Sequence, residues 1–198
     1  MTQGWTVMLV LTAGFLQGSV ANAQDIPLAY RQVAAANDIP ADIFYAVALA
    51  ESGRNLGPGR PMRPWPWTLN IHGEGQYFTN RQSAWRAIMA SIVSDRPSVD
   101  IGPMQVNWRY HRSSLIDPWR ALDPFVNLQV AAEILKKCEQ RLSDWWASVG
   151  CYHSPSNSER AKRYRERVRA HWQSLVLSLI HISEPTRPAP LSRMPSSA

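Results

Sequence analysis

The residues best suited to proton chemistry in this chain are Glu51, Gln105, Asn107 and Tyr152. Glu51 closes the apolar run Ala46-Val47-Ala48-Leu49-Ala50 and is followed by Ser52 and Gly53. A carboxylate among apolar neighbours, in the last turn of a helix whose C-terminus carries partial negative charge, is favoured in its neutral form. A neutral carboxyl donates a proton, so general acid catalysis is the chemistry this setting suits. The opposing reading is that Glu51 reaches water from the helix end. Gln105 and Asn107 follow the Gly102-Pro103 turn and can place amides in a cleft, although such residues near turns also serve as local hydrogen-bonders. Tyr152 lies beyond a segment of small residues and can aim its hydroxyl at a carboxyl group.

The elements that must position these groups follow from periodicity and breakers. Pro40 and Asp42 start the helix that runs to Glu51, with Phe44, Val47, Ala48 and Glu51 on one broad face. Leu28 to Asn37 reads as a short helix before it. Gly53 to Pro66 is too rich in glycine and proline for regular structure. Trp67–Ile71 and Gln76–Thr79 flank His72-Gly73-Glu74-Gly75, which predicts a small β-hairpin with Glu74 at its tip. Asn80 caps a helix from Arg81 to Ser94, whose Ala84, Ile88 and Ile92 recur at four-residue spacing. Asp100 to Trp108 reads as a loop entering a short helix. Phe125 to Leu142 is a longer helix with Val126, Val130, Ile134 and Leu135 as its inner edge. Trp145 to Tyr152 is another short segment, and Ser158 to about Leu175 is a basic terminal helix. The pattern is α+β, mainly α-helical, without internal repeats.

With 198 residues and 45% hydrophobic content, one domain with a sizeable core is expected. Nine tryptophans supply flat surfaces suited to stacking on sugars or filling that core. Trp5 to Leu16 is an apolar stretch followed by Ala21-Asn22-Ala23, an A-x-A cleavage pattern. Residues 1–23 therefore read as a signal peptide with Gln24 starting the mature chain, although no Lys or Arg precedes the apolar stretch. A membrane anchor is the other reading of that stretch, and nothing after it is long and apolar enough to span a bilayer.

Export into an oxidising compartment would let Cys138 and Cys151, the two cysteines, form a bridge; two buried free thiols are the alternative. The five histidines are scattered and no HExxH motif occurs, so no metal and no cofactor are expected. The net charge of +6 owes much to Glu159–Arg169, where six bases outweigh two acids. Such a run suits nucleic acid, an acidic wall polymer, a membrane surface, or simply a solvated helix face. Leu177–Arg187 resembles the translation of a transposase-type sequencing adapter, which would make residues 177–198 a non-native read-through tail.

The order Glu51-Ser52, then Gly102-Pro103-Met104-Gln105, then Asn127 and Leu135 on a helix, then Tyr152, resembles the soluble-lytic-transglycosylase-like family of peptidoglycan-cleaving enzymes. The resemblance covers roughly Ile26 to Trp172. Trp65–Asn70 and Asp100–Trp108 look like the branch found with conjugation and type IV secretion systems. It implies a lysozyme-like fold for residues 24–176 and a periplasmic, monomeric enzyme. Peptidoglycan strands would be its substrate, secretion or conjugation components its further partners, and nucleic acid not a partner. It implies Glu51 as the catalytic acid, with Ser52, Met104, Gln105, Asn107 and Tyr152 binding substrate. Pro103 stands where the family has Leu, and His153 where it has Asn.

In that family one Glu protonates the bond between N-acetylmuramic acid and N-acetylglucosamine. The muramoyl 6-hydroxyl then attacks, giving a 1,6-anhydro product. A lysozyme-like hydrolase would need a second carboxylate at a defined separation. The candidates are Glu74, expected at an exposed hairpin tip, and Asp100, expected to cap or brace the Gly102 turn. A non-catalytic wall-binding module is the remaining reading, and it leaves Glu51, Gln105 and Tyr152 without a reason to occur together.

Overall fold

The helix that ends at Ser52 sits inside the molecule, and much of the chain packs round it. The computed structural model describes residues 25–93 and 98–183, with side chains through residue 178. The expected signal peptide, Ser94 and the part of the expected tail beyond residue 183 lie outside these residues. Helices α1 (Leu28–Ala36) and α2 (Ala41–Ser52) come first. Pro40 stands just ahead of α2, where its missing N–H costs no helical hydrogen bond. The sequence assigned α2 one apolar face, but Ile43 through Leu49 are all buried. A helix apolar on every side belongs at the centre of a core.

The Gly/Pro-rich segment, expected to be irregular, forms a small antiparallel ladder of β1 (Gly53–Arg54) with β2 (Arg63–Pro64). Strands β3 (Thr68–Ile71) and β4 (Glu74–Tyr77) make the expected hairpin with a tighter turn. Ile71 pairs with Glu74, so only His72 and Gly73 lie between, at φ 53° and 96°. Two left-handed residues give the turn whose twist matches the strands. Glu74 is thus the exposed first residue of β4 and not part of a four-residue tip. Helix α3 (Arg81–Ile92) begins at Asn80, whose side chain accepts a hydrogen bond from the Ser83 N–H.

Asp100 to Trp108 is not the loop expected. It holds β5 (Val99–Ile101), a turn, and β6 (Val106–Asn107), giving an antiparallel sheet of order β4-β3-β5-β6. Strands of three and two residues are too short to show alternation in sequence; their pairing to β3 defines them.

Five helices follow among the described residues: α4 (Trp108–Leu115), α5 (Pro118–Ala121), α6 (Pro124–Leu142), α7 (Trp145–His153) and α8 (Ser158–Ser183). Asp123 caps α6 and Asp144 caps α7 through backbone N–H groups. The inner face of α6 is formed by Asn127, Leu128, Val130, Ala131, Ala132, Leu135 and Cys138. Val126 and Ile134, expected on that face, are only partly buried. Helix α8 continues to Ser183, past its expected end near Leu175. Leu175, 1% exposed, packs with Ile26, Tyr45 and Leu49, and Trp172 Nε1 donates to Asp42 at 2.6 Å, tying α8 to α2. Among the described residues no helix is long and apolar enough to cross a membrane.

A disulfide joins Cys138 on α6 to Cys151 on α7, with Cα atoms 6.0 Å apart. Closing so short a loop restrains the unfolded chain by about 3 kcal/mol. Replacing both cysteines by serine is expected to lower stability by about that amount in denaturant melts. A midpoint unchanged from the oxidised wild type would contradict this.

Candidate active site

The C-terminal end of α2 is fastened to the turn between β5 and β6. Ser52 Oγ donates to the Pro103 carbonyl at 2.7 Å. The Gly102 N–H donates to the Thr68 carbonyl at 2.8 Å, and Gln105 Nε2 donates to the carbonyls of Gly102 at 2.8 Å and Thr68 at 3.1 Å. From behind, the fully buried Asn127 brackets the turn. Its Nδ2 donates to the Ile101 carbonyl at 2.8 Å and its Oδ1 accepts from the Met104 N–H at 3.0 Å. Tyr152 Oη donates to the Met104 carbonyl at 2.7 Å, joining α7 to the same turn. Four elements distant in sequence, α2, β3, α6 and α7, are thereby held on one short piece of backbone.

Above the turn lies a cavity of about 1010 Å³. Its lining includes Glu51, Gln105, Asn107 and Tyr152 together with Asn70, Asp100 and His153. Ser52 and Met104, expected to touch substrate, are not part of it. At 1% and 0% exposure they lie in the protein interior and act on the cavity only by supporting it. Tyr152, expected to address a carboxyl group, spends its proton on the Met104 carbonyl. Glu74 is also absent from the lining.

The Glu51 side chain is 10% exposed, and its Oε1 is 3.9 Å from His153 Nδ1. The His153 ring lies flat on Tyr164 of α8, with centroids 4.3 Å apart and planes within 1°. Tyr164, 2% exposed, feels the Glu51 carboxylate. Burial first, and then that charge, push its ionisation well above the ordinary value, yet its hydroxyl makes no hydrogen bond of good geometry among the described residues. Burial and then the charges of Glu51 and Asp100 do the same to Tyr152. Both phenols therefore stay protonated at any working pH.

Opposite α2, cross-strand pairing puts Asn70, Asp100 and Asn107 in one row. Asn70 is paired with Asp100, which is paired with Asn107. Residues paired directly across antiparallel strands point to the same face, and all three line the cavity. Asn107 Nδ2 donates to Asp100 Oδ1 at 2.7 Å, while Asn70 Oδ1 is buried without a hydrogen-bond partner among the described residues. The Asp100 carboxyl is raised above the usual range, chiefly by burial. The Asn107 hydrogen bond lowers it in part, Glu51 raises it further, and His153 opposes that rise. Asp100 does brace the turn through Asn107, as expected, but it also shares the cavity with Glu51, which the sequence did not indicate. Among the described residues no cluster of three His, Cys, Asp or Glu side chains is placed to hold a metal ion.

The remaining contributors missed in the sequence are His153 and Tyr164, the second of which was hidden inside a charge run. Four cations also line the cavity: Lys137 and Arg141 of α6, and Arg160 and Arg167 of α8. Their spacings, four and seven residues, place each pair on one helix face, the only signal that could have grouped them. Compared with protein-family models, with curated proteins and with solved structures, the chain finds no match.

Proposed function

We propose that this protein is a periplasmic peptidoglycan lytic transglycosylase with a lysozyme-like fold. It would open the wall locally for a secretion or conjugation machine and act as a monomer. The single observation that carries the reading is Glu51, a carboxyl 10% exposed at the end of a buried helix, lining a large cavity with amides and hydroxyls around it. In the proposed reaction Glu51 gives its proton to the glycosidic oxygen as the bond from the muramoyl anomeric carbon breaks. The resulting carboxylate then takes the proton of the muramoyl 6-hydroxyl as that oxygen bonds to the anomeric carbon. One carboxyl suffices because the nucleophile is carried by the sugar, where proximity can supply an effective concentration of roughly 10⁵ M or more.

Digestion of sacculi in oxygen-18 water, followed by mass spectrometry, tests this. Anhydro-terminated, unlabelled muropeptides are expected; heavy reducing ends would identify a hydrolase. A second reading, the lysozyme-like hydrolase, is favoured by one observation: Asp100 shares the cavity with Glu51.

The variant Asp100→Asn separates the two. For the transglycosylase, the rate should stay within about tenfold and the anhydro product persist; for a two-carboxylate enzyme, about two orders of magnitude or more should be lost. The raised folded value also fixes the effect on stability. A carboxyl that holds its proton more tightly when folded contributes stability below its unfolded pKa, and loses it as pH rises through the folded value. Above the folded value that contribution is gone, and the wild type then holds a costly buried charge. Asp100→Asn keeps the acceptor for Asn107 and should melt no lower than wild type at pH 7.

A further inference from the structure

Lys137, Arg141, Arg160 and Arg167 line the cavity that contains Glu51, and none of them has an ion-pair partner among the described residues. Their neighbour Lys136 does, to Glu139 at 3.2 Å. All four are exposed. Arg141 Nη2 lies 2.8 Å from Cys151 Sγ, a weak acceptor that leaves most of the guanidinium's donors unused. Arg167 stands 5.1 Å from the ring of Tyr164, the residue against which His153 is stacked. Two cations come from α6 and two from α8, with the Cys138–Cys151 disulfide in the wall between them. Four cations against at most two carboxylates, Glu51 and Asp100, leave the site net positive, and a concave wall concentrates that field. A concave site also distinguishes these four from the rest of the basic run on α8, such as Lys162 and Arg163, which do not line it.

Resting on the proposed glycan-strand activity, we propose that this cationic wall binds the carboxylates of the stem peptides carried by muramic acid. The enzyme would then select peptide-bearing strands over bare glycan. Where the lactyl carboxyl of each muramic acid is amide-linked to a peptide, the glycan is uncharged along its sugars, so nothing in the sugar chain itself calls for four unpaired cations beside the site. The lactyl-linked peptide brings free carboxylates alongside the strand, beside the scissile sugar. Guanidinium groups take carboxylates in a two-point geometry that a single ammonium cannot offer. The contact is solvent-accessible, so salt should weaken it.

Two measurements test the proposal separately from the reading it rests on. In the first, cleavage of intact sacculi is compared with cleavage of amidase-treated strands from which the peptides have been removed and whose freed lactyl carboxylates have been converted to amides. The wild type should favour peptide-bearing material by roughly tenfold at low salt. Glutamine at all four positions should bring that ratio close to one. The charge-keeping set Arg141→Lys, Arg160→Lys and Arg167→Lys should fall between the two, keeping the attraction of the charge and losing the two-point contact. Equal ratios in the wild type and the glutamine variant would overturn the proposal.

In the second, full-length Glu51→Gln protein is titrated with an isolated stem tetrapeptide and with the same peptide amidated at its carboxylates. Binding of the free acid, weakened roughly tenfold by the four glutamines and by amidation, is expected. Equal binding of both peptides, or tighter binding of a short DNA oligonucleotide than of the peptide, would overturn it. A protein that binds the peptide but cleaves no glycan would retain the peptide site and discard the catalytic reading.

Discussion

Glu51→Gln is expected to slow glycan-strand cleavage by about two to four orders of magnitude, with no loss of folded structure. The amide is close in shape to the carboxyl but cannot supply a proton to the leaving oxygen. It also fits the same space as a side chain that is only 10% exposed, so folding should not suffer. The tie between α2 and the Gly102 turn runs through Ser52 Oγ and is untouched by this change. Turbidity clearing of wall suspensions, read beside circular dichroism and a thermal melt, gives both halves of the result. Clearing at the wild-type rate would remove Glu51 from the mechanism. A rate lost together with the melting transition would mean that Glu51 holds the fold, and would leave the chemistry to another residue.

The largest effect on stability is expected at Asn127. Leucine there has similar volume but leaves the Ile101 carbonyl and the Met104 N–H without the partners they now have at 2.8 and 3.0 Å. An orphaned buried backbone group costs about 1–3 kcal/mol, so the pair should cost about 4 kcal/mol. In a domain of this size that lowers the melting temperature by about 10 °C. Aspartate would restore only the acceptor and place a charge in a fully buried position, so it should be no better. The effect should reach the cavity as well, because Tyr152 is anchored on the Met104 carbonyl. A leucine variant that melts with the wild type would show that water or backbone movement replaces the bracket.

The parts of this molecule legible in sequence are those governed by local rules. The buried run ending in Glu51, the Asn80 cap and the hairpin across His72-Gly73 are each fixed by residues a few positions apart. The row Asn70, Asp100 and Asn107 is set by strand register instead, and β5 and β6 are too short to announce themselves. Asp100 consequently looked like a turn residue. Tyr164 could not be recognised because its role depends on α8 crossing behind α7 to meet His153. Conversely, Ser52 and Met104 were easy to single out, but their burial makes them supports for the site and not contacts within it. Motif positions show that a residue matters to a site without showing from which side it acts.

Gly102 and Asn127 limit how this site can vary over time. A methyl group on Gly102 would come within 2.7 Å of Asn127 Cγ, and the glycine's φ of 79° already disfavours any side chain. Asn127 cannot shrink to make room without abandoning the two backbone groups it serves on either side of the turn, Ile101 and Met104, and the Ala121 carbonyl at 3.4 Å. Each position therefore blocks single-step change at the other. A double substitution would have to relieve the crowding, re-form the turn in a different backbone conformation and satisfy the orphaned groups at once. The surrounding surface, including the cationic wall, faces no such interlock and can drift one residue at a time. Divergence among descendants of this chain should therefore accumulate in what the cavity binds, while the turn that supports it stays fixed.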